Sequence, residues 1–230
     1  IVDSFPAPIG EQLRKLFASN EINVQKLKQL VRTYDVTIQL LCFSMFSQLW
    51  DVKIQEQFFE IGEEDLVDFN GFLSINPENH SIFDYSMLMI AIRNIFTKNQ
   101  MSFFIEEIDF MVKAFNSQTP MQQAHLFMME MKKELAEGKV SAEEIKSFCM
   151  QAEEKLTTVM CGCAYLVKYK LVTIKNIEII KRRNRKAVYK HNNVMLDRVT
   201  AGVLDDILEY ETPTDDRSVI LLKNIDDVSD

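Results

Sequence analysis

Hydrophobic residues between Glu21 and Trp50 recur with the three-and-four spacing of an amphipathic helix. This spacing stacks side chains along one helical face, so it predicts a long central helix. The apolar positions of this face are Leu27, Leu30, Val31, Tyr34, Ile38, Leu41, Cys42, Met45 and Leu49. A second apolar stripe on the opposite side predicts that neighbours cover the C-terminal half of the helix on both sides. That stripe consists of Val36, Leu40, Phe43 and Trp50.

The apolar part of this helix is too short to cross a bilayer, which requires about 20 consecutive apolar residues. It extends only from Val36 to Trp50 and is interrupted by four polar residues, Gln39, Ser44, Ser47 and Gln48. The pattern therefore indicates the core helix of a soluble domain, and we expect no membrane partner.

Capping sequences predict where further helices begin. Thr119-Pro-Met-Gln122 combines a capping residue with a proline at the first helical position, and Gly138 is expected to end that helix. Ser141-Ala-Glu-Glu144 is a capping box before a second long amphipathic helix, which we expect to pack against the central one. Ser19-Asn20 is expected to cap the central helix. Shorter helices are predicted to end near residues 19 and 72 and to span residues 82–99 and 103–115.

The pattern changes near Tyr169, where β-branched residues become frequent. Residues 171–180 and 187–196 predict a β-hairpin, and residues 207–211 and 219–222 predict two further strands. The predicted fold class is α+β and predominantly α: a multi-helix domain around two long amphipathic helices, with a small antiparallel sheet at the C-terminal end. We expect a helical domain over 1–167 and a small β-rich extension over 168–230 that packs on it and continues into a longer chain.

Charge is distributed unevenly along the chain. The whole sequence carries a net charge of −8, but residues 168–193 contain nine basic residues and one acidic residue. The hairpin is therefore a candidate site for phosphates or an acidic partner, with an aromatic ring and an imidazole beside the cations. The candidate residues are Lys181, Arg182, Arg183, Arg185, Lys186, Tyr189, Lys190 and His191. The alternative is that these cations only protect a sheet edge or form a solvated face.

Two other features of the sequence are candidate sites. Cys161-Gly-Cys163 resembles a fragment of a zinc site, but residues two apart on a helix point away from each other and no second ligand pair follows. The Met-rich segment of the helix after Thr119 is apolar on more than one face, so it belongs either to the core or to an adaptable docking groove. Its apolar residues are Met121, Leu126, Phe127, Met128, Met129 and Met131.

The sequence contains no phosphate-binding loop, nucleophile elbow or helical metal-binding signature, so we expect neither an enzyme nor a bound cofactor or metal. The four cysteines have no framework spacing, which indicates reduced thiols and a cytoplasmic setting. The predicted function is a non-catalytic interaction or regulatory domain of a larger cytoplasmic multidomain protein. Its partner would be an adjacent domain of the same polypeptide or another protein. The alternative is binding of nucleic acid or a nucleotide through the basic hairpin 181–190.

Overall fold

The computed structural model describes residues 2–18, 21–55, 59–115, 118–196, 203–210 and 219–223. The chain divides into two compact units. The helical unit comprises Lys15–Ala164, and the sheet unit comprises Ile1–Arg14 together with Tyr165–Asp230. The predicted fold class, α+β and predominantly α with a small antiparallel sheet, is confirmed. The predicted domain boundary between residues 167 and 168 stays a prediction.

Helices dominate the described part of the chain. The α-helices are α1 (Ala7–Ala18), α2 (Val24–Gln55), α3 (Glu63–Ser74), α4 (Ile82–Lys98), α5 (Glu107–Ala114), α6 (Pro120–Glu137) and α7 (Ile145–Gly162). Short 3-10 turns cover Val2–Ser4, Pro77–Asn79 and Ala164–Lys168. The predicted helix over 103–115 is shorter than expected, because it begins only at Glu107.

The central helix α2 buries the apolar face that its spacing predicts. Every predicted position on this face, from Leu27 to Leu49, is buried. Its N-terminus is capped by Asn23, whose side-chain oxygen accepts a hydrogen bond from the Lys26 amide at 3.0 Å. The predicted cap at residues 19–20 lies outside the described residues.

The expectation that α2 is covered on both sides in its C-terminal half is wrong. Val36 is buried, but the side chains of Phe43 and Trp50 are 48% and 62% exposed. Helical spacing shows which residues share a face, but it does not show whether another element packs there. The C-terminal half of α2 therefore leaves an apolar stripe at the surface.

The predicted helix start at residue 119 is confirmed, but the predicted cap at Ser141 is wrong, because residues 142–144 form a turn and α7 begins only at Ile145. The Gln122 amide donates to the Thr119 hydroxyl at 3.2 Å, and α6 ends at Gly138 in the left-handed conformation, with φ 67°. Ser141 donates to the Glu144 carboxylate just before α7 begins. The helix α7 packs against α2, where Lys26 forms an ion pair of 2.5 Å with Glu153.

The sheet has four described strands in the order β3-β2-β1-β4, and every neighbouring pair is antiparallel. They are β1 (Tyr169–Ile180), β2 (Val188–Met195), β3 (Val203–Tyr210) and β4 (Val219–Lys223). The predicted hairpin and the two further strands are therefore confirmed. Strand β4 pairs with the first half of β1. The second half of β1 pairs with β2 and leads to the hairpin turn.

Candidate functional site

The basic residues predicted as a site lie mainly in the turn that joins β1 to β2. The two strands pair up to Ile180 and Val188, so residues 181–187 form the connection. Within it the Arg185 amide donates to the Arg182 carbonyl at 3.2 Å. Asn184 adopts a left-handed conformation with φ 64°. Asparagine tolerates this conformation better than most residues, so the local sequence suits a tight turn.

Five cations of the turn are exposed. We call this set the basic turn: Lys181, Arg182, Arg183, Arg185 and Lys186. Residues 181–187 contain no acidic residue, so like charges are crowded along a short segment. Such crowding creates a positive potential outside the turn that attracts an anion locally, with a range set by salt.

The remaining predicted site residues lie on the strand that follows the turn. Tyr189 is half-buried and in register with Ile179. Lys190 is in register with Glu178, and opposite charges in this position stabilise a sheet pair. Lys190 therefore lies opposite an acidic residue of the neighbouring strand. The backbone of His191 pairs with Ile177, and its side chain lies outside what the structure describes.

A buried polar pair joins α2 to α6 in the helical unit. The Tyr34 hydroxyl lies 2.6 Å from Nδ1 of His125, and the imidazole stacks on Phe115 with a centroid distance of 4.5 Å. Burial lowers the pKa of His125 to about 4 and raises the pKa of Tyr34 well above its usual value. At neutral pH the Tyr34 hydroxyl therefore shares a hydrogen bond with a neutral imidazole.

A second buried group, Asp35, follows Tyr34 on α2. Its carboxylate accepts from Lys132 at 2.9 Å and from Arg32 at 3.1 Å, while its side chain is only 4% exposed. Sequence reasoning missed both polar groups, because an apolar face is recognised by its hydrophobic members. No local motif marks a residue on α2 that pairs with one on α6. The Tyr34–His125 and Asp35–Lys132 contacts connect α2 to α6.

Two open clefts lie on the helical unit. One, of about 350 Å³, is lined by Arg93, Asp109 and Lys113. Burial acts to raise the pKa of Asp109, but hydrogen bonds from Lys113 and Arg93 outweigh it and lower that pKa. The other, of about 500 Å³, runs along α6 beside Leu126 and Met129. In the predicted Met-rich segment Met128 and Met131 are buried, whereas Leu126 is 53% exposed.

The cysteines do not gather into one site. Cys163 is buried with its sulfur 3.6 Å from that of Met111, whereas Cys161 is exposed. Within the described residues, no group of three or more His, Cys, Asp or Glu side chains is placed to hold a metal ion. Among the described helices, none has both the length and the apolar character needed to cross a membrane.

Comparisons with known proteins give no relative for this chain. No protein-family model, no curated protein and no solved structure matches it significantly. Its function is therefore argued from the residues and geometry described above.

Proposed function

We propose that this protein is a non-catalytic interaction domain that binds an acidic partner protein through the basic turn. The observation that carries the proposal is the exposure of Lys181, Arg182, Arg183 and Arg185 on a turn without acidic residues. Charged groups at the rim of an interface steer association and select partners, which suits a regulatory or adaptor role. The proposal keeps the cytoplasmic setting that the cysteine pattern indicates.

The charge of the rest of the chain favours a protein partner over a long polyanion. Outside residues 168–193 the sequence carries a net charge of −16. A partner that contacts only the basic turn experiences mainly the local positive field, because salt screens charges beyond about 8 Å. A long nucleic acid extends past the turn and meets the repulsion of the acidic remainder.

The test compares two variants with the same total charge. Fluorescence anisotropy with a labelled oligo-glutamate peptide measures binding by the wild type and by Arg182→Glu/Arg183→Glu/Arg185→Glu. The matched control is Lys28→Glu/Lys133→Glu/Lys146→Glu, which reverses three exposed lysines of the helical unit. We expect the hairpin variant to bind at least about tenfold more weakly and the control to stay near wild type. Equal loss in both variants would contradict the proposal.

A second candidate function is binding of nucleic acid or a nucleotide at the same turn. Tyr189 favours it, because a half-buried aromatic ring one residue after the start of β2 offers a stacking surface near the cations. In that case binding to a single-stranded oligonucleotide would weaken steeply between about 50 and 200 mM salt, and the triple arginine variant would abolish it. No detectable oligonucleotide binding at low salt would remove this candidate.

A further inference from the structure

The helical unit carries two apolar ridges, one on α2 and one on α3. Phe43, Phe46 and Trp50 recur at helical spacing on α2, and Leu66, Phe69 and Leu73 do so on α3. The ridges meet where the rings of Phe46 and Phe69 lie 6.1 Å apart. We call this set of six residues the α2–α3 face.

Helix α4 forms the support beneath these ridges. Tyr85 of α4 contacts the ring of Phe43 at 5.9 Å and the ring of Phe72 at 5.5 Å. It is itself buried, so α2 and α3 are held in place by a common neighbour. The ridges are therefore fixed by packing, which lowers the entropic cost of binding to them.

Much of the apolar surface of these ridges is exposed. The exposed fractions are 48% for Phe43, 62% for Trp50, 43% for Leu66 and 66% for Leu73. Single exposed apolar residues are ordinary, but several on adjoining ridges form a patch of the kind that binds another element. Exposed apolar side chains at helical spacing are a surface on which the apolar face of an amphipathic helix docks.

The charge around the α2–α3 face selects the kind of helix. Helix α3 contains four acidic residues and no basic residue. Two of these acids, Glu64 and Asp65, form ion pairs with Lys98. Glu63 precedes Leu66 by three residues and has no ion-pair partner in the part of the chain that the structure describes. On α2 the charged residue three positions after Trp50 is Lys53, which donates to the Phe59 carbonyl. The negative flank of the face is therefore the one on α3.

We propose that the α2–α3 face binds an amphipathic helix of a partner protein whose polar flank is basic. Apolar burial supplies the affinity, and the acidic flank on α3 selects a cationic helix over an acidic one. This inference does not rest on the basic turn, because it concerns a separate surface of opposite charge. It assigns to the helical unit a binding role of its own.

Trp50 provides the readout, because it is the single tryptophan in the sequence and belongs to the face. The probes are two helical peptides with the same leucine positions, one with lysine and one with glutamate at the polar positions. We expect the Leu/Lys peptide to shift Trp50 emission to shorter wavelength at low salt, and the Leu/Glu peptide to leave it unchanged. Equal shifts with both peptides, or no shift with the Leu/Lys peptide, would overturn the proposal.

A pair of variants on α3 distinguishes the face from general stickiness. Leu73→Asp changes an exposed residue of the face, whereas Val67→Asp changes an equally exposed apolar residue outside it. We expect Leu73→Asp to weaken binding of the Leu/Lys peptide by about tenfold or more, and Val67→Asp to have little effect on that binding. Equal effects would contradict the assignment. A shift of Trp50 emission with protein concentration alone, together with a dimer in sedimentation, would show instead that a second copy covers the face.

Discussion

Replacing His125 with asparagine should remove a specific pH dependence of stability. The imidazole is buried between α2 and α6, where its Nδ1 and the Tyr34 hydroxyl share a hydrogen bond of 2.6 Å. Asparagine retains a short side-chain acceptor but does not titrate in this range. The variant therefore removes the protonation equilibrium while keeping a hydrogen-bonding group near Tyr34.

The size and sign of the effect follow from the pKa of His125. Burial lowers this pKa to about 4 in the folded protein, against 6.5 for an ordinary histidine. Between these values the unfolded chain binds more protons, so stability rises with pH and is lost as the pH falls below about 6.5. A pH of about 5 lies about 1.5 units below the ordinary pKa of histidine. At 1.36 kcal/mol per unit, His125 therefore lowers the free energy of unfolding by about 2 kcal/mol at that pH.

Urea unfolding at about pH 7.5 and about pH 5 measures this difference for both proteins. The wild type should lose about 2 kcal/mol more of its free energy of unfolding than His125→Asn over this interval. Other histidines and carboxylates titrate in both proteins, so their contributions cancel in the comparison. An equal loss in the two proteins would refute the claim that His125 is buried as a neutral group.

Three further predictions concern other buried or strained groups. In the native protein at mildly alkaline pH a thiol reagent should react rapidly only at the exposed Cys161, because burial raises the pKa of Cys42 and Cys163 to about 12 and also raises that of Cys149. Denaturation should make the other three thiols reactive, and rapid reaction of all four thiols in the native protein would contradict this. Asp35→Asn should lower the free energy of unfolding by about 2 kcal/mol, since Lys132 loses its buried partner, whereas the exposed Asp68→Asn should change it by less than about 0.5 kcal/mol in the same urea titration. Asn184→Val should destabilise the turn by about 1–2 kcal/mol while Asn184→Gly should not, and hydrogen exchange of the β1–β2 amides should report the difference.

The sequence allowed much of the helical scaffold to be predicted, because its signals are local. The cap at Thr119 and the apolar face of α2 each depend on residues within a few turns of one another. The hairpin and its exposed basic turn were likewise predictable from β-branched residues on either side of a charged segment. Local sequence patterns determine these elements, and tertiary packing does not override them.

Features that depend on distant residues could not be predicted. The Tyr34–His125 contact joins residues 91 positions apart, and the Asp35–Lys132 ion pair joins residues 97 apart. The exposure of Phe43 and Trp50 depends on where α3 and α4 lie, which the periodicity of α2 does not contain. The sequence therefore does not predict the α2–α3 face, because the face depends on where the helices lie in the structure.

A direct competition between two anionic probes tests the central claim that the basic turn binds an acidic protein. Labelled oligo-glutamate bound to the full chain at physiological salt is titrated with unlabelled oligo-glutamate or with a single-stranded oligonucleotide of equal charge. The peptide should displace the label at lower concentration than the oligonucleotide, and the triple arginine variant should bind oligo-glutamate at least about tenfold more weakly than the wild type. Stronger competition by the oligonucleotide, or undiminished peptide binding by the triple variant, would contradict it.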